Sequence, residues 1–405
     1  MTNPLKNKRI LLGLTGSIAV YKAADLASKL TQAGAEVDVI LTEAAQQFIA
    51  PLTFQSVTGR KAYTEADLWG DQGHVLHIGL AKDADLLVIA PATANTLAKL
   101  AHGEAGNLLT LTALAAECPL LLAPAMDGGM YNHPATQANL AVLAGRGASI
   151  IGPEEGHLAS GMKALGRMTE PHILLGHIRR LIAKRGPLAG KKVVVTAGGT
   201  QEPIDPVRFL ANRSSGKQGF ALAQAALDLG AEVTLIAAPT PLETPGGAER
   251  VDVRTAGEML SAVLAHSKDA AALVMAAAVA DFRPAEISAE KIKKAGGIPK
   301  IELAPNPDIL KEVAKVKKKS GFPKVTVGFA AESQDLLMNA EGKLRSKELD
   351  LIAANDISAA DAGFSVDTNR ITLLFAGGTQ EALPLTSKTE AAEAIMAHVA
   401  ALLGE

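Results

Sequence analysis

Ile10-Leu11-Leu12-Gly13-Leu14-Thr15-Gly16-Ser17 is an apolar run that stops on a hydroxyl, a glycine and a second hydroxyl. Five residues are too few for a helix, and no polar residue alternates with them. The run therefore reads as a strand buried on both faces, which is a property of parallel sheets. Ala19 to Ala33 then has helical period, Gly34 suits a helix C-cap, and Val37 to Leu41 is the next buried run. Strand, turn, helix and strand make one βαβ unit. Further strand candidates follow at Leu86 to Ala90, Leu120 to Ala123 and Ser149 to Ile151, with helical stretches between them.

A second start follows Arg179-Arg180 and the segment Lys184-Arg185-Gly186-Pro187. Lys192 to Thr196 is a strand, Ala197-Gly198-Gly199-Thr200 its turn, and Phe220 to Leu229 a helix capped by Gly230. Strands are expected at Val233 to Ala237, Ala272 to Met275, Val325 to Phe329, Leu349 to Ala353 and Ile371 to Phe375. The pattern predicts an α/β protein of two doubly wound, mostly parallel sheets. Its expected parts are residues 1–182, a linker 183–190, and 191–405.

Composition narrows the function. The 405 residues are 48% hydrophobic and 20% charged, which is globular, and the net charge is −2. Up to Gly190 there are 16 Lys and Arg against 15 Asp and Glu, and beyond it 24 against 27. Neither part has the basic excess of a nucleic-acid binder. The single cysteine, Cys118, excludes an intramolecular disulfide and a Cys-x-x-Cys metal site. With no apolar signal region at Met1 to Lys6 and no apolar run of about 18 residues, a cytoplasmic protein without membrane spans is expected.

Doubly wound sheets bind ligands at the carboxyl ends of their strands, where helix N-termini aim N–H groups at anions. Gly16-Ser17-Ile18-Ala19 sits there and lacks the Gly-x-Gly-x-x-Gly pattern, so a mononucleotide phosphate is the better fit. Thr42 and the run Ala92-Thr93-Ala94-Asn95 lie at other strand ends, where the plainer role is helix capping. His77 leads into the Leu86 strand; His74 three residues earlier raises a metal pair, but no third ligand has convincing spacing. Pro124-Ala125-Met126-Asp127 also falls on the ligand edge, where Asp127 alternatively caps a helix.

These pieces, with Gly166-Arg167-Met168, resemble the flavin-containing cysteine decarboxylases, whose fold is flavodoxin-like. The resemblance implies that Gly16, Ser17, Ile18, Thr42, Ala92, Thr93 and Asn95 hold FMN, that His77 is the catalytic base and that Met126 touches substrate. The implied reaction oxidises the thiol of 4'-phosphopantothenoylcysteine at the flavin, which makes loss of CO2 feasible. Two residues depart from the family pattern. Asp127 stands where an Asn commonly holds the substrate carboxylate, which an ionised Asp would repel. Ser160 stands where many members have a proton-donating Cys, and a hydroxyl is a far weaker acid.

In the second part, Asp205-Pro206-Val207-Arg208 leads by a loop to Asn212-Arg213-Ser214-Ser215-Gly216-Lys217, whose donors precede a helix and suit phosphate or carboxylate. Walker spacing is absent. Ala276 to Arg283 closes a strand, Glu290-Lys291-Ile292-Lys293-Lys294 is a charge run, and Lys343 and Lys347 lie one helical turn apart. This set resembles the phosphopantothenate–cysteine ligase domain, which activates a carboxylate with CTP and Mg²⁺ as an acyl-cytidylate that the cysteine amine then attacks. By that resemblance Asn212 orients the acyl-cytidylate and Lys291 stabilises charge on the reacting phosphate, while Lys343 and Lys347 hold the triphosphate. Met275, Ala276, Ala277, Asp281, Pro307, Asp308, Ile309, Leu310 and Phe329 surround the CTP, and Arg208 and Asn212 the other substrate. No residue is implied as a metal ligand.

The whole chain thus resembles the bifunctional decarboxylase–ligases of coenzyme A synthesis. That resemblance implies small-molecule substrates and homo-oligomers, with trimers through the flavin half and dimers through the ligase half. The alternative is an active ligase joined to a weak or inactive flavin-binding scaffold.

Overall fold

The computed structural model describes residues 3–69, 75–293, 300–332, 335–356 and 368–404. Two compact units divide at residues 182 and 183.

In the first unit, β1 (Arg9–Leu14), β2 (Glu36–Leu41), β3 (Ala62–Tyr63), β4 (Leu86–Ala92), β5 (Leu120–Pro124) and β6 (Ser149–Ile150) form one sheet. Every pairing in it is parallel, and the order is β3-β2-β1-β4-β5-β6. The apolar run that opened the sequence is its centre, with Ile10, Leu12 and Leu14 wholly buried. Even-numbered residues of β1 pack with the helix Val20–Gln32, and Leu11 packs on the opposite face with Leu87 and Leu109. Burial on both faces explains why no polar alternation appears in the run. A two-stranded hairpin, β7 (Glu154–His157) with β8 (Lys163–Arg167), follows the sheet. At the amino ends of the strands Asp38, nearly inaccessible, receives Nε of Arg9 at 2.6 Å and Nε of Arg60 at 2.8 Å. Asp85 accepts the Arg9 N–H at 2.9 Å and Lys8 Nζ at 2.9 Å.

The second unit contains β9 (Lys192–Ala197), β10 (Gln201–Pro203), β11 (Phe209–Ala211), β12 (Glu232–Ala237), β13 (Glu249–Asp252) and β14 (Ala272–Met275). Then come β15 (Phe282–Pro284), β16 (Leu303–Pro305), β17 (Val325–Glu332), β18 (Leu351–Asp356), β19 (Thr368–Asn369), β20 (Ile371–Phe375), β21 (Gln380–Ala382) and β22 (Thr386–Ser387). The main sheet runs β13-β12-β9-β14-β17-β18-β20-β21, parallel as far as β18 and antiparallel from there. Both sheets are doubly wound, as expected, and their order reverses between β1 and β4 and between β9 and β14. Each reversal leaves a crevice at the carboxyl ends of the two diverging strands.

Several contacts fasten the crevice walls. Thr15, 1% exposed, donates its hydroxyl to Pro91 O at 2.7 Å and accepts the Thr93 N–H at 3.1 Å, which joins the ends of β1 and β4. In the second unit Thr196 Oγ1 accepts the Ala277 N–H at 3.1 Å, and Thr200 Oγ1 accepts the Ala280 N–H at 3.0 Å. Gly219 permits the helix Lys217–Asp228 to lie on β9, because a Cβ there would meet Ala197 Cβ at 2.5 Å.

Candidate active sites in two sheet crevices

The first crevice opens a cavity of about 680 Å³ lined by Gly16, Ser17, Thr42, Thr93, Asn95 and Met126, among others. Gly16 is required by packing, since a Cβ would sit 2.5 Å from Ala44 Cβ. Thr42 caps the short helix Glu43–Gln46 and Thr93 caps Ala94–His102, each by accepting an N–H three residues on. The capping role and the cavity-lining role thus fall on the same side chains. The first-turn N–H groups of Ala94–His102 face this end of the sheet and favour an anion. Met126 and Met130 give the cavity an apolar wall. Hydroxyls, a helix N-terminus and a thioether wall fit a phosphorylated ligand with a flat apolar ring.

A second cavity of about 260 Å³ lies beside Ser17, with Ile18, Lys22, Asp127, Ser160 and Arg167 in its wall. The two departures from the family pattern meet here. Asp127 accepts the Gly129 N–H at 2.9 Å as a helix cap, and its other oxygen accepts the Ser160 hydroxyl at 2.8 Å. The Ser160 hydroxyl and the Gly129 N–H hold the Asp127 carboxyl below its ordinary range. Asp127 is therefore an anion at neutral pH, and the one Ser160 O–H is committed to it. Lys22, 6% exposed, donates to Met168 O at 3.0 Å and Glu170 Oε1 at 2.8 Å.

His77 lies in the first turn of the helix Leu76–Lys82, half-buried, and its Nδ1 is buried without a hydrogen-bond partner. It lines neither of the two cavities described above. His74 falls outside the described residues. Cys118 is half-buried, and burial pushes its thiol up. Among the described residues no group of three or more His, Cys, Asp or Glu could hold a metal ion.

The crevice of the second unit holds a cavity of about 530 Å³. It brings together Asn212, Met275, Ala276, Ala277 and Asp281 with the Pro307-Asp308-Ile309-Leu310 turn, Phe329, Lys343 and Lys347. Asn212 Nδ2 donates to Val279 O at 3.1 Å, and Asp308 caps the helix Ile309–Ser320. Lys347 Nζ stands 3.4 Å from Asp308 Oδ2. Lys291 and Arg208 do not line this cavity. Arg208 pairs with Asp205 and donates to Ile292 O at 2.7 Å, which ties the segment carrying Lys291 to the β10–β11 arm. Burial acts to raise the Asp205 carboxyl, but the N–H groups of Val207, Arg208 and Ile292 and the Arg208 guanidinium hold it far below its usual range. Lys294 lies outside the described residues.

Sequence reasoning missed Thr15, Lys22, Gln218, Asn355, Asn369 and Lys388. Asn355 ends a strand, and the rule that found Thr42 would have found it. Asn369 is placed only by strand register.

Residues 1–183 match the Flavoprotein family, and residues 188–403 match the DNA/pantothenate metabolism flavoprotein C-terminal domain. The chain is 46% identical over 401 residues to the coenzyme A biosynthesis bifunctional protein CoaBC of Bacillus subtilis (strain 168), covering 98% of each. It is 44% identical over 408 residues to the protein of that name from Mycobacterium tuberculosis (strain ATCC 25618 / H37Rv), covering 98% of this chain and 97% of that one. A crystal structure of the C-terminal domain of a CoaBC protein is 37% identical and covers 54% of this chain and 98% of its own, with a TM-score of 0.46. The protein is a two-part α/β enzyme, a flavoprotein half joined to a pantothenate-metabolism half. It belongs to the coenzyme A biosynthesis bifunctional proteins, CoaBC, and carries phosphopantothenoylcysteine decarboxylase and phosphopantothenate–cysteine ligase activities. The full-length match does not favour an inactive first half. Among the described residues no helix is long and apolar enough to cross a membrane.

Proposed function

We propose that residues 1–182 form the FMN-dependent decarboxylase and 191–405 the CTP-dependent ligase, joined by 183–190, and that the ligase product passes to the decarboxylase in the cytoplasm. The observation that carries the ligase reading is the 530 Å³ cavity, which gathers every residue expected around CTP except Lys291. In this reading Lys343 and Lys347 take the triphosphate, and Asp281, Phe329 and the turn after Asn306 take the cytidine. Mg²⁺ enters with the triphosphate, whose oxygens are its natural ligands. The carboxylate of 4'-phosphopantothenate displaces pyrophosphate, and Asn212 orients the acyl-cytidylate. The cysteine nitrogen then bonds to the acyl carbon as the C–O bond breaks. Its electrons leave with cytidine monophosphate, and the amine proton goes to solvent. Lys291 and Arg208 act from the tethered segment beside Asp205, and positioned cations are what phosphorus-centred transition states need.

In the decarboxylase reading the 680 Å³ cavity holds FMN, with its phosphate toward Ser17, Thr93 and the N–H groups after Thr93. Bound FMN supplies the two-electron oxidation and re-reduction of the substrate. Met126 lies between this cavity and the smaller one, so the substrate extends into the latter, beside Lys22 and Arg167. There Asp127 and Ser160 act together, with Ser160 as a hydrogen-bond donor to Asp127 and not as an independent acid. His77 is the catalytic base of this reading.

Homo-oligomers complete the reading. Trp69 is 85% exposed and Tyr21 62%, and His77 lies off both cavities described in its unit, which supports trimers through the flavin half. Phe209, Leu210, Phe282 and Leu303 are exposed on β11, β15 and β16, which supports dimers through the ligase half. The test is mass spectrometry of the purified protein with 4'-phosphopantothenate, cysteine, CTP and Mg²⁺. Formation of 4'-phosphopantetheine upholds both halves. Accumulation of 4'-phosphopantothenoylcysteine would remove the decarboxylase assignment, and neither product would remove both.

A further inference from the structure

The ligase cavity has lining residues that no part of the reading above uses. Gln218, Asn355, Asn369, Ile371 and Lys388 line it. Asn355 pairs with Ile371 across β18 and β20, and Asn369 lies two residues before Ile371. Asn369 itself belongs to β19, which pairs with β22 in a separate two-stranded ladder, and the cavity is where the three side chains come together.

The orientation of one carboxamide is fixed by a chain of hydrogen bonds. Gln218 Nε2 donates to Lys388 O at 3.2 Å, so Gln218 Oε1 is free to accept, and Asn369 Nδ2 donates to it at 2.7 Å. That leaves Asn369 Oδ1 as the outward atom of a side chain 3% exposed. Asn369 Oδ1 and Asn355 Oδ1 are both buried, and neither has a hydrogen-bond partner. Orphaned buried acceptors are rare in native proteins and call for a donor. A hydroxyl or a secondary amide brings one hydrogen and can satisfy one of the two. An amino group can satisfy both, in place of the water that can do so when the substrate is absent.

We propose that Asn355 and Asn369 form the seat of the attacking amine, accepting the N–H groups of the cysteine amino group through their side-chain oxygens. The proposal rests on the ligase assignment above and adds the subsite of its second substrate. Neutral carboxamides suit this task better than carboxylates would. They orient N–H groups without strongly stabilising the protonated ammonium, and only the neutral amine can attack.

The test uses the full chain with CTP, Mg²⁺, 4'-phosphopantothenate and varied cysteine. Acyl-cytidylate formation is read first without cysteine, by pyrophosphate release in a single turnover. If the parent protein forms no acyl-cytidylate, the ligase assignment fails and not the subsite alone. Asn355→Ala and Asn369→Ala should each raise the KM for cysteine about three- to tenfold, the effect of one lost neutral hydrogen bond. The rise should be confined to cysteine, so that its KM separates from those of CTP and 4'-phosphopantothenate. Calorimetric unfolding of each variant guards against loss of folding, and a variant that melts with the parent while its cysteine KM stays parental would overturn the proposal. A raised KM for 4'-phosphopantothenate with cysteine unchanged would overturn the proposal and give these residues to the acid substrate. Equal rises for all three substrates would overturn it as well.

Discussion

Thr200→Val removes one hydroxyl and almost no volume. The Thr200 side chain is wholly buried, and its Oγ1 accepts the Ala280 N–H at 3.0 Å, which holds the 277–280 loop to the turn after β9. A methyl group in that place leaves a buried N–H unmet, at about 1–3 kcal/mol. Two outcomes share that free energy. If the loop stays in place, the second unit melts lower, by about 2–4 °C per kcal/mol for a domain of this size. If the loop swings out so that water reaches Ala280, the cost moves to the nucleotide, and the KM for CTP rises about fivefold to 150-fold. Calorimetric unfolding of the full chain, with pyrophosphate release at varied CTP, reads both. Thr200→Ser keeps the acceptor and should stay near the parent. The reasoning is refuted if Thr200→Val leaves both the melting temperature and the KM for CTP at parental values.

The Asp127–Ser160 bond should make closure of the β7–β8 hairpin acid-labile. A carboxyl held below its ordinary range stabilises its contact above that range and loses it as pH falls through the depressed value. Amide protection around residues 157–163 should therefore be full at neutral pH and decline only below the ordinary carboxyl range, about pH 4, and Asp127→Ala should remove it at all pH values; pH-independent protection in the parent would sink the idea. Gly166→Ala would place a Cβ 2.1 Å from Met126 O, so it should destabilise the first unit by about 1–3 kcal/mol and abolish CO2 release while ligation persists, as separate assays of the two steps would show. Asp205→Ala releases the segment that carries Lys291 and should lower ligase turnover by up to about 100-fold without affecting decarboxylation of supplied 4'-phosphopantothenoylcysteine; an unchanged ligase rate would mean that the tether has no role.

The parallel strands were legible because burial on both faces writes itself as an unbroken apolar run, and every long strand of both sheets was found within two or three residues. The short antiparallel arms were not. β7–β8, β10–β11 and β15–β16 have strands of three to five residues and no apolar pattern, and they are defined by partners met only after folding. The site residues divided along the same line. Thr42, Thr93, Met126 and the Ala276 to Asp281 run announce themselves by ending apolar strands. The Asp127–Ser160 bond joins positions 33 apart in sequence, and Asn355 and Asn369 reach one cavity through strand pairings that local composition does not encode. Thr42 and Thr93 also show that capping and ligand binding need not compete, because a strand end at the switch point is a helix start as well.

The ion pairs of Arg9, Arg60 and Lys8 with Asp38 and Asp85 lie at the amino ends of the first sheet, and the 680 Å³ cavity proposed for FMN lies at the carboxyl ends. Six residues of extended chain separate them, about 20 Å. At that distance two unit charges interact by less than about 1 kcal/mol at an effective dielectric near 20, so each end bears little on the other. The field on a ligand's charge at the carboxyl ends is set by the neighbours it meets there. The direction of the strands has thus separated what keeps the sheet together from what the sheet is for.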